Sequence, residues 1–314
     1  MSVRAPQGAP RRPEPIAHFR TKLFVLMAQQ IGPHMSAKTL PRRVFRADAA
    51  LMRGLGRAFA GALIFALPML MTMEMWRLGF YMQPLRLALL LALTVPVLVG
   101  LSRFGGMRPT AHLRDDLADA LVVMLIAGLA AAFTLYLFGI LTPGMSAREV
   151  IGKIALQTVP GSFGAMLARS QLGGEPEGER EKQAPTYWGE LFLMGAGALF
   201  LSFNMAPTEE MVLIAYKMSA WHSVALAVLS LGLMHAFVYA LDFRGGSARP
   251  GKIPAWSVFA RLTLVGYAIV LSVSLVTLWV FSRTDGAGLQ EIISASIVLG
   301  FPGAIGAASA RLLL

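Results

Sequence analysis

The sequence predicts an all-α polytopic membrane protein of about eight spans, arranged as two like-oriented four-helix repeats. Three observations predict it. Of 314 residues, 56% are hydrophobic and only 14% charged, against about 25% charged in an ordinary soluble domain. Mean hydropathy is +0.61, and several apolar runs reach the ~20 residues needed to cross a bilayer. The chain also repeats itself. Gly61 to Met82 and Gly197 to Met218 align without a gap and share eight of 22 residues, among them Thr72/Thr208, Glu74/Glu210 and Met75/Met211. Glu149 to Arg169 and Glu291 to Arg311 share eight of 21, including Pro-Gly-x-x-Gly-Ala. Self-similarity at this level is the signature of a duplicated unit.

Composition also excludes. There is no cysteine, so disulfides, thiolate metal sites and cysteine nucleophiles are ruled out. The five histidines have no zinc spacing. Met69, Met71, Met73, Met75 and Met82 suggest soft-metal ligation, but alternate spacing scatters them over several helix faces. No metal and no cofactor is expected. The formal charge of +11 would suggest nucleic acid in a soluble protein. Here 11 of the 28 cations precede Ala58 and most others lie between spans. Topology and anionic headgroups account for them, so no nucleic-acid partner is expected.

Taken in order, residues 1–50 form a basic tail. Its Pro- and Arg-rich start reads as disordered. Ile16 to Met35 carries Phe19, Leu23, Leu26 and Met27 at helical spacing beside Arg20 and Lys22. That pattern fits a short interfacial helix, and a loose basic tail accounts for the same residues. The first repeat covers 51–170, with spans near 57–79, 84–104, 117–141 and 149–169. A charged Gly/Pro-bearing linker follows at 171–187. The second repeat covers 188–314, with spans near 188–206, 219–242, 258–282 and 290–312. The fourth and eighth spans should kink or open at Pro160-Gly161 and Pro302-Gly303, where proline removes a donor and glycine loosens the turn.

Placing the N-terminus in the cytoplasm puts 22 cations inside and six outside. The positive-inside rule therefore sets both termini in the cytoplasm of a bacterial inner membrane. Four spans per half is an even number, so the halves point the same way.

Few side chains offer chemistry. Glu74 and its repeat partner Glu210, with Glu209 beside it, lie in apolar surroundings where a carboxylate must be protonated, paired or wet. Each suits an ion- or proton-interacting role. A local Glu74–Arg77 pair, or ordinary acids in a first helical turn after Pro207, explains them without function. His235, in the sixth span, suits proton relay or a bond to a neighbouring helix. Thr72, Thr208, Asn204 and Pro207 mark helix breaks, and with Pro160, Gly161, Pro302 and Gly303 they are candidates for lining a path. No phosphate loop, nucleophile elbow or HExxH motif occurs, and no catalytic residue is assigned.

The runs FALPMLMTMEMWRLG, GELFLMGAGALFLSFNMAPTEEMVLIAYKM and VLGFPGAIGAASARL resemble a family of bacterial multi-span integral membrane proteins of unknown function. The resemblance extends from about residue 50 to the C-terminus. It implies an inner-membrane protein and carries no activity or site residue with it.

The leading functional expectation is a channel or transporter for a small cation or protons, with its path between the repeats. A non-transporting scaffold or sensor is the alternative, and an intramembrane enzyme is the third reading. Expected partners are the lipid bilayer, anionic headgroups at the N-terminal tail, and a second copy of the chain in a homo-oligomer.

Overall fold

The computed structural model describes residues 40–104, 113–172, 186–242 and 255–313. The interfacial helix expected at Ile16 to Met35 and most of the charged linker lie outside these residues. The architecture below is that of the unit Arg53–Leu314.

All regular elements among the described residues are helical. They are α1 (Leu40–Leu70), α2 (Met73–Tyr81), α3 (Pro84–Phe104), α4 (Leu113–Leu137), α5 (Ala147–Leu172), α6 (Tyr187–Met205), α7 (Glu209–Lys217), α8 (Ala220–Asp242), α9 (Ala255–Val258), α10 (Val265–Val280) and α11 (Leu289–Leu313). A π-helical stretch, Phe259–Leu264, joins α9 to α10. Among the described residues, seven helical segments are long and apolar enough to span a bilayer. The bent pair α6–α7 raises the number to eight.

The first span was placed near 57–79 with Thr72 as a candidate helix break, and α1 does stop at Leu70 with a new helix starting at Met73. Pro68 has already removed one donor from the last turn. The orphaned carbonyls are then met from outside the helix. Met69 accepts from the Thr72 hydroxyl at 2.9 Å, the Thr72 N–H at 3.2 Å and Gln157 Nε2 at 3.0 Å. Leu70 accepts from the Trp76 indole at 2.8 Å. At the second break, the Thr208 hydroxyl and N–H both return to the Met205 carbonyl, at 2.8 and 3.1 Å. There the chain bends by 94° between α6 and α7.

Length shows what these breaks mean. Met52–Leu70 and Tyr187–Met205 have 19 residues each. At 1.5 Å per residue each rises about 28 Å, close to the ~30 Å hydrocarbon thickness. Met52–Leu70 meets the length and composition of a span by itself, which leaves α2 beyond it, whereas Tyr187–Met205 does so only together with Glu209–Lys217 across the 94° bend.

The bundle is small inside and large outside. On α4 the inward positions include Ala120, Val123, Ala127, Ala130 and Ala131, all buried. Leu117, Leu121, Leu125, Leu129 and Phe133 recur every fourth residue on the exposed face. A ridge of large apolar side chains this long is costly in water and ordinary against lipid. Trp188, Trp221, Trp256 and Tyr216 are all exposed at helix ends, where amphipathic rings suit the headgroup boundary.

The innermost helices are α5 and α11, buried over 72% and 56% of their most apolar windows. Glycine admits their neighbours. A Cβ on Gly164 would lie 2.2 Å from the Gly61 carbonyl oxygen, and one on Gly306 would lie 2.2 Å from that of Gly197. α1 therefore meets α5, and α6 meets α11, backbone to backbone. Neither inner helix opens at its proline as the sequence suggested: both are continuous through Pro160 and Pro302. Each proline costs a single donor, to Leu156 or Val298. Gly161 and Gly303 serve as contact points, against Ala127 on α4 and against Ser202 and Val270 on α6 and α10.

The α3–α4 hairpin is closed by Asp116. This fully buried carboxylate accepts from Ser102 Oγ at 3.0 Å and Arg103 Nε at 2.8 Å.

Two sets of substitutions follow from this packing. Gly306→Leu should lower thermal stability in detergent by about 1–3 kcal/mol through overpacking. Gly232→Ala, with nothing within 4 Å of a new Cβ, should be neutral or stabilising by up to ~1 kcal/mol. Asp116→Ala should cost about 1–3 kcal/mol by stranding its donors. Thermal unfolding of the purified variants measures all three.

Candidate functional site

Thr72 and Thr208 have extended backbone immediately before α2 and α7. Glu74 lies in the first turn of α2, half-buried. Glu209 and Glu210 lie in the first turn of α7, exposed. Acids in a first turn complement the partial positive charge of the helix N-terminus, so local physics accounts for all three. The Glu74–Arg77 pair does not form among the described residues. Their helices have different partners, α2 packing on α5 and α7 on α11. The structure thus keeps Glu74 with the Pro160 helix and Glu210 with the Pro302 helix.

Much of the contact between the two halves is aromatic. Phe65 and Phe163 approach Phe200 with ring centroids 5.1 and 6.4 Å away. Phe104 approaches Phe192 at 5.3 Å, over Gly100. Polar atoms do occur beside the proline helices. The Ser202 and Ser274 hydroxyls are fully buried without a protein partner, next to Gly303. Gln157 spends its amide nitrogen on Met69, and its oxygen is unpartnered. Asn204 bonds back to the Phe200 carbonyl at 2.7 Å inside the last turn of α6. The Pro207 carbonyl accepts from the Arg283 guanidinium.

His235 is half-buried, its Nδ1 3.1 Å from the hydroxyl of buried Thr263 and its ring edge-on to Phe259. Both partners belong to the π-helical stretch. This is the neighbouring-helix bond that the sequence offered as the plain alternative to proton relay.

Sequence reasoning missed the polar lock between the halves. Arg86, near the start of α3, is 8% exposed. Its guanidinium donates to both Asp285 carboxylate oxygens at 2.8 and 2.9 Å, to Ser282 Oγ at 2.7 Å and to the Trp279 carbonyl at 2.9 Å. It also stacks 4.9 Å from the Trp279 ring. A forked, bidentate pair of this kind joins strength to direction. Ser282 adopts φ +62° to present its hydroxyl. The only sequence signal was an arginine two residues inside an apolar helix, with nothing to name its partner 199 residues away.

A second missed feature is a groove of about 500 Å³ between α2 and the start of α5, lined by Met73, Trp76, Arg77, Phe80, Tyr81, Glu149 and Lys153. Lys153 is 7% exposed and pairs with Glu149 at 2.7 Å.

Among known proteins, a family model described as "Putative integral membrane protein (DUF2391)" matches residues 54–314. No curated protein and no solved structure matches the chain.

The Arg86 guanidinium, by hydrogen bond and by charge, holds the Asp285 carboxyl below the usual carboxylate range. A depressed folded value means that the lock's stabilisation is fully present above the ordinary aspartate value and is lost as pH falls through the folded one. Thermal stability in detergent should therefore fall on acidification below about pH 4. Asp285→Asn should flatten that acid limb while lowering stability near neutrality.

Proposed function

The chain belongs to this family of integral membrane proteins, and from that premise we propose that it is a lipid-embedded scaffold or sensor, not a conduit between its halves. One observation carries the reading. The facing halves pack through Phe65, Phe163 and Phe200, while Glu74 starts the short helix after a candidate span and Glu209 and Glu210 start the second arm of the bent α6–α7 pair. An aromatic seam offers a hydrated ion nothing to replace its water.

The bundle is read as an ancient duplication with both halves facing the same way. Supporting this, α2 and α7, nine residues each, fall at matching places in the gap-free alignment of Gly61–Met82 with Gly197–Met218. The glycine pairs Gly61/Gly164 and Gly197/Gly306 also occupy aligned positions. Both termini are placed in the cytoplasm of a bacterial inner membrane by the cation asymmetry alone. The basic tail is assigned to anionic headgroups or a partner protein, and self-association remains part of the reading.

Conduction of protons or a small cation is the second reading. It is favoured by the unpartnered Ser202 and Ser274 hydroxyls and Gln157 oxygen beside the proline helices. Polar groups there are what a path would require. Purified protein in proteoliposomes separates the two readings. The scaffold predicts proton, sodium and potassium fluxes equal to those of empty vesicles, unchanged in Glu74→Gln/Glu210→Gln. Flux that falls in the double variant returns the acids to a transport mechanism. Deleting residues 1–45 should abolish localisation or partner binding in the scaffold and leave a transporter conducting.

A further inference from the structure

We propose that the groove between α2 and the start of α5 binds an anionic phospholipid, with Arg77 and Lys153 on the phosphodiester and Trp76, Phe80 and Tyr81 against the glycerol and acyl chain. The site is independent of the scaffold and transport readings. Its depth is the first argument. Met52–Leu70 has already crossed the hydrocarbon, so the following helix sits where headgroups do.

Charge is the second. Two cations and one carboxylate line the groove, leaving a positive excess. An ammonium has three donors. Lys153 gives one to Glu149 at 2.7 Å and points another at the Met145 sulfur at 3.7 Å. One donor remains for a ligand. Arg77 is exposed and makes no ion pair among the described residues, so its guanidinium is available to a phosphate. The walls are built to stay open: Trp76 is pinned by its indole N–H to the Leu70 carbonyl. Gly79 and Gly152 set the two helices at backbone distance, since a Cβ on Gly152 would meet the Gly79 carbonyl at 2.1 Å.

The third argument is that the fold does not need these cations. In the gap-free alignments Lys153 stands opposite Ala295, Arg77 opposite Leu213 and Trp76 opposite Val212. Glu149 is matched by Glu291, whose carboxylate instead accepts from the Gly288 N–H at 2.9 Å. The second half builds the equivalent helices with alanine and leucine in place of the two cations. A buried lysine is costly, and a ligand supplies a reason for it that helix packing does not.

The test is lipid binding to the full-length protein in detergent, read by native mass spectrometry with phosphatidylglycerol and phosphatidylcholine of identical chains. Each basic group near an anionic headgroup contributes about a fivefold preference. Phosphatidylglycerol should therefore bind at least about fivefold more tightly than phosphatidylcholine. Lys153→Ala and Arg77→Ala should each remove about that factor for phosphatidylglycerol and weaken phosphatidylcholine, whose choline already offsets the shared phosphodiester charge, by less, so that the preference shrinks. Glu149→Gln should strengthen phosphatidylglycerol binding, because it removes the competing carboxylate, an effect that a purely structural Lys153–Glu149 pair does not produce. Equal binding of the two lipids, or a preference that survives both alanine variants, overturns the proposal. So does displacement of phosphatidylglycerol by millimolar glycerol phosphate, which would make the groove a free-anion site.

Discussion

A backbone carbonyl deprived of its helical donor must find another wherever it is buried from water, in the hydrocarbon or inside the bundle, because nothing else substitutes for it there. This constraint decides where the bundle may bend. The chain turns after Leu70 because Thr72, Gln157 and Trp76 together serve the carbonyls of Met69 and Leu70. It turns again after Met205, where Thr208 serves that carbonyl and Arg283 serves the next free one, at Pro207. Pro160 and Pro302 are the other candidate breaks, yet the helices are continuous there, each at the cost of one missing bond.

Close backbone contact then does what hydrophobic burial does in a soluble protein. Lipid is as apolar as leucine, so association rests on packing and on small residues. Gly61 against Gly164 and Gly197 against Gly306 bring the outer helices onto α5 and α11. The large side chains they displace go outward, as the leucine ridge of α4 shows. Between the halves the fit is aromatic instead, and it is closed at one end by the fork of Arg86 on Asp285. A buried guanidinium is tolerable because a carboxylate, a hydroxyl, a carbonyl and an indole face all meet it.

Much of this was legible from residues alone, and the parts that were not share a cause. Spans two to eight lay close to their observed bounds, because long apolar runs admit few alternatives. The first span was placed through Glu74 to about residue 79, with Thr72 marked as a break inside it. Its break depends on Gln157, on a helix that the local pattern cannot bring near. Glu74 and Glu210 were named as ion- or proton-interacting residues because they occupy aligned positions in the repeat; in the structure each starts a separate helix, α2 on α5 and α7 on α11. Arg86, Asp285, Lys153 and Glu149 were not singled out as site residues, since an isolated arginine in a sequence gives no hint of a partner nearly 200 residues on.

Composition and periodicity, by themselves, determined that this chain is an all-helical bilayer protein and gave about eight crossings, because apolar length and the obligation to satisfy backbone groups leave few classes of solution. Which helices break, which charges are buried together and which face carries a groove were decided only when the helices packed. Those outcomes depend on donors, glycines and counter-charges supplied from distant parts of the chain, and a one-dimensional pattern holds no record of which of them will meet.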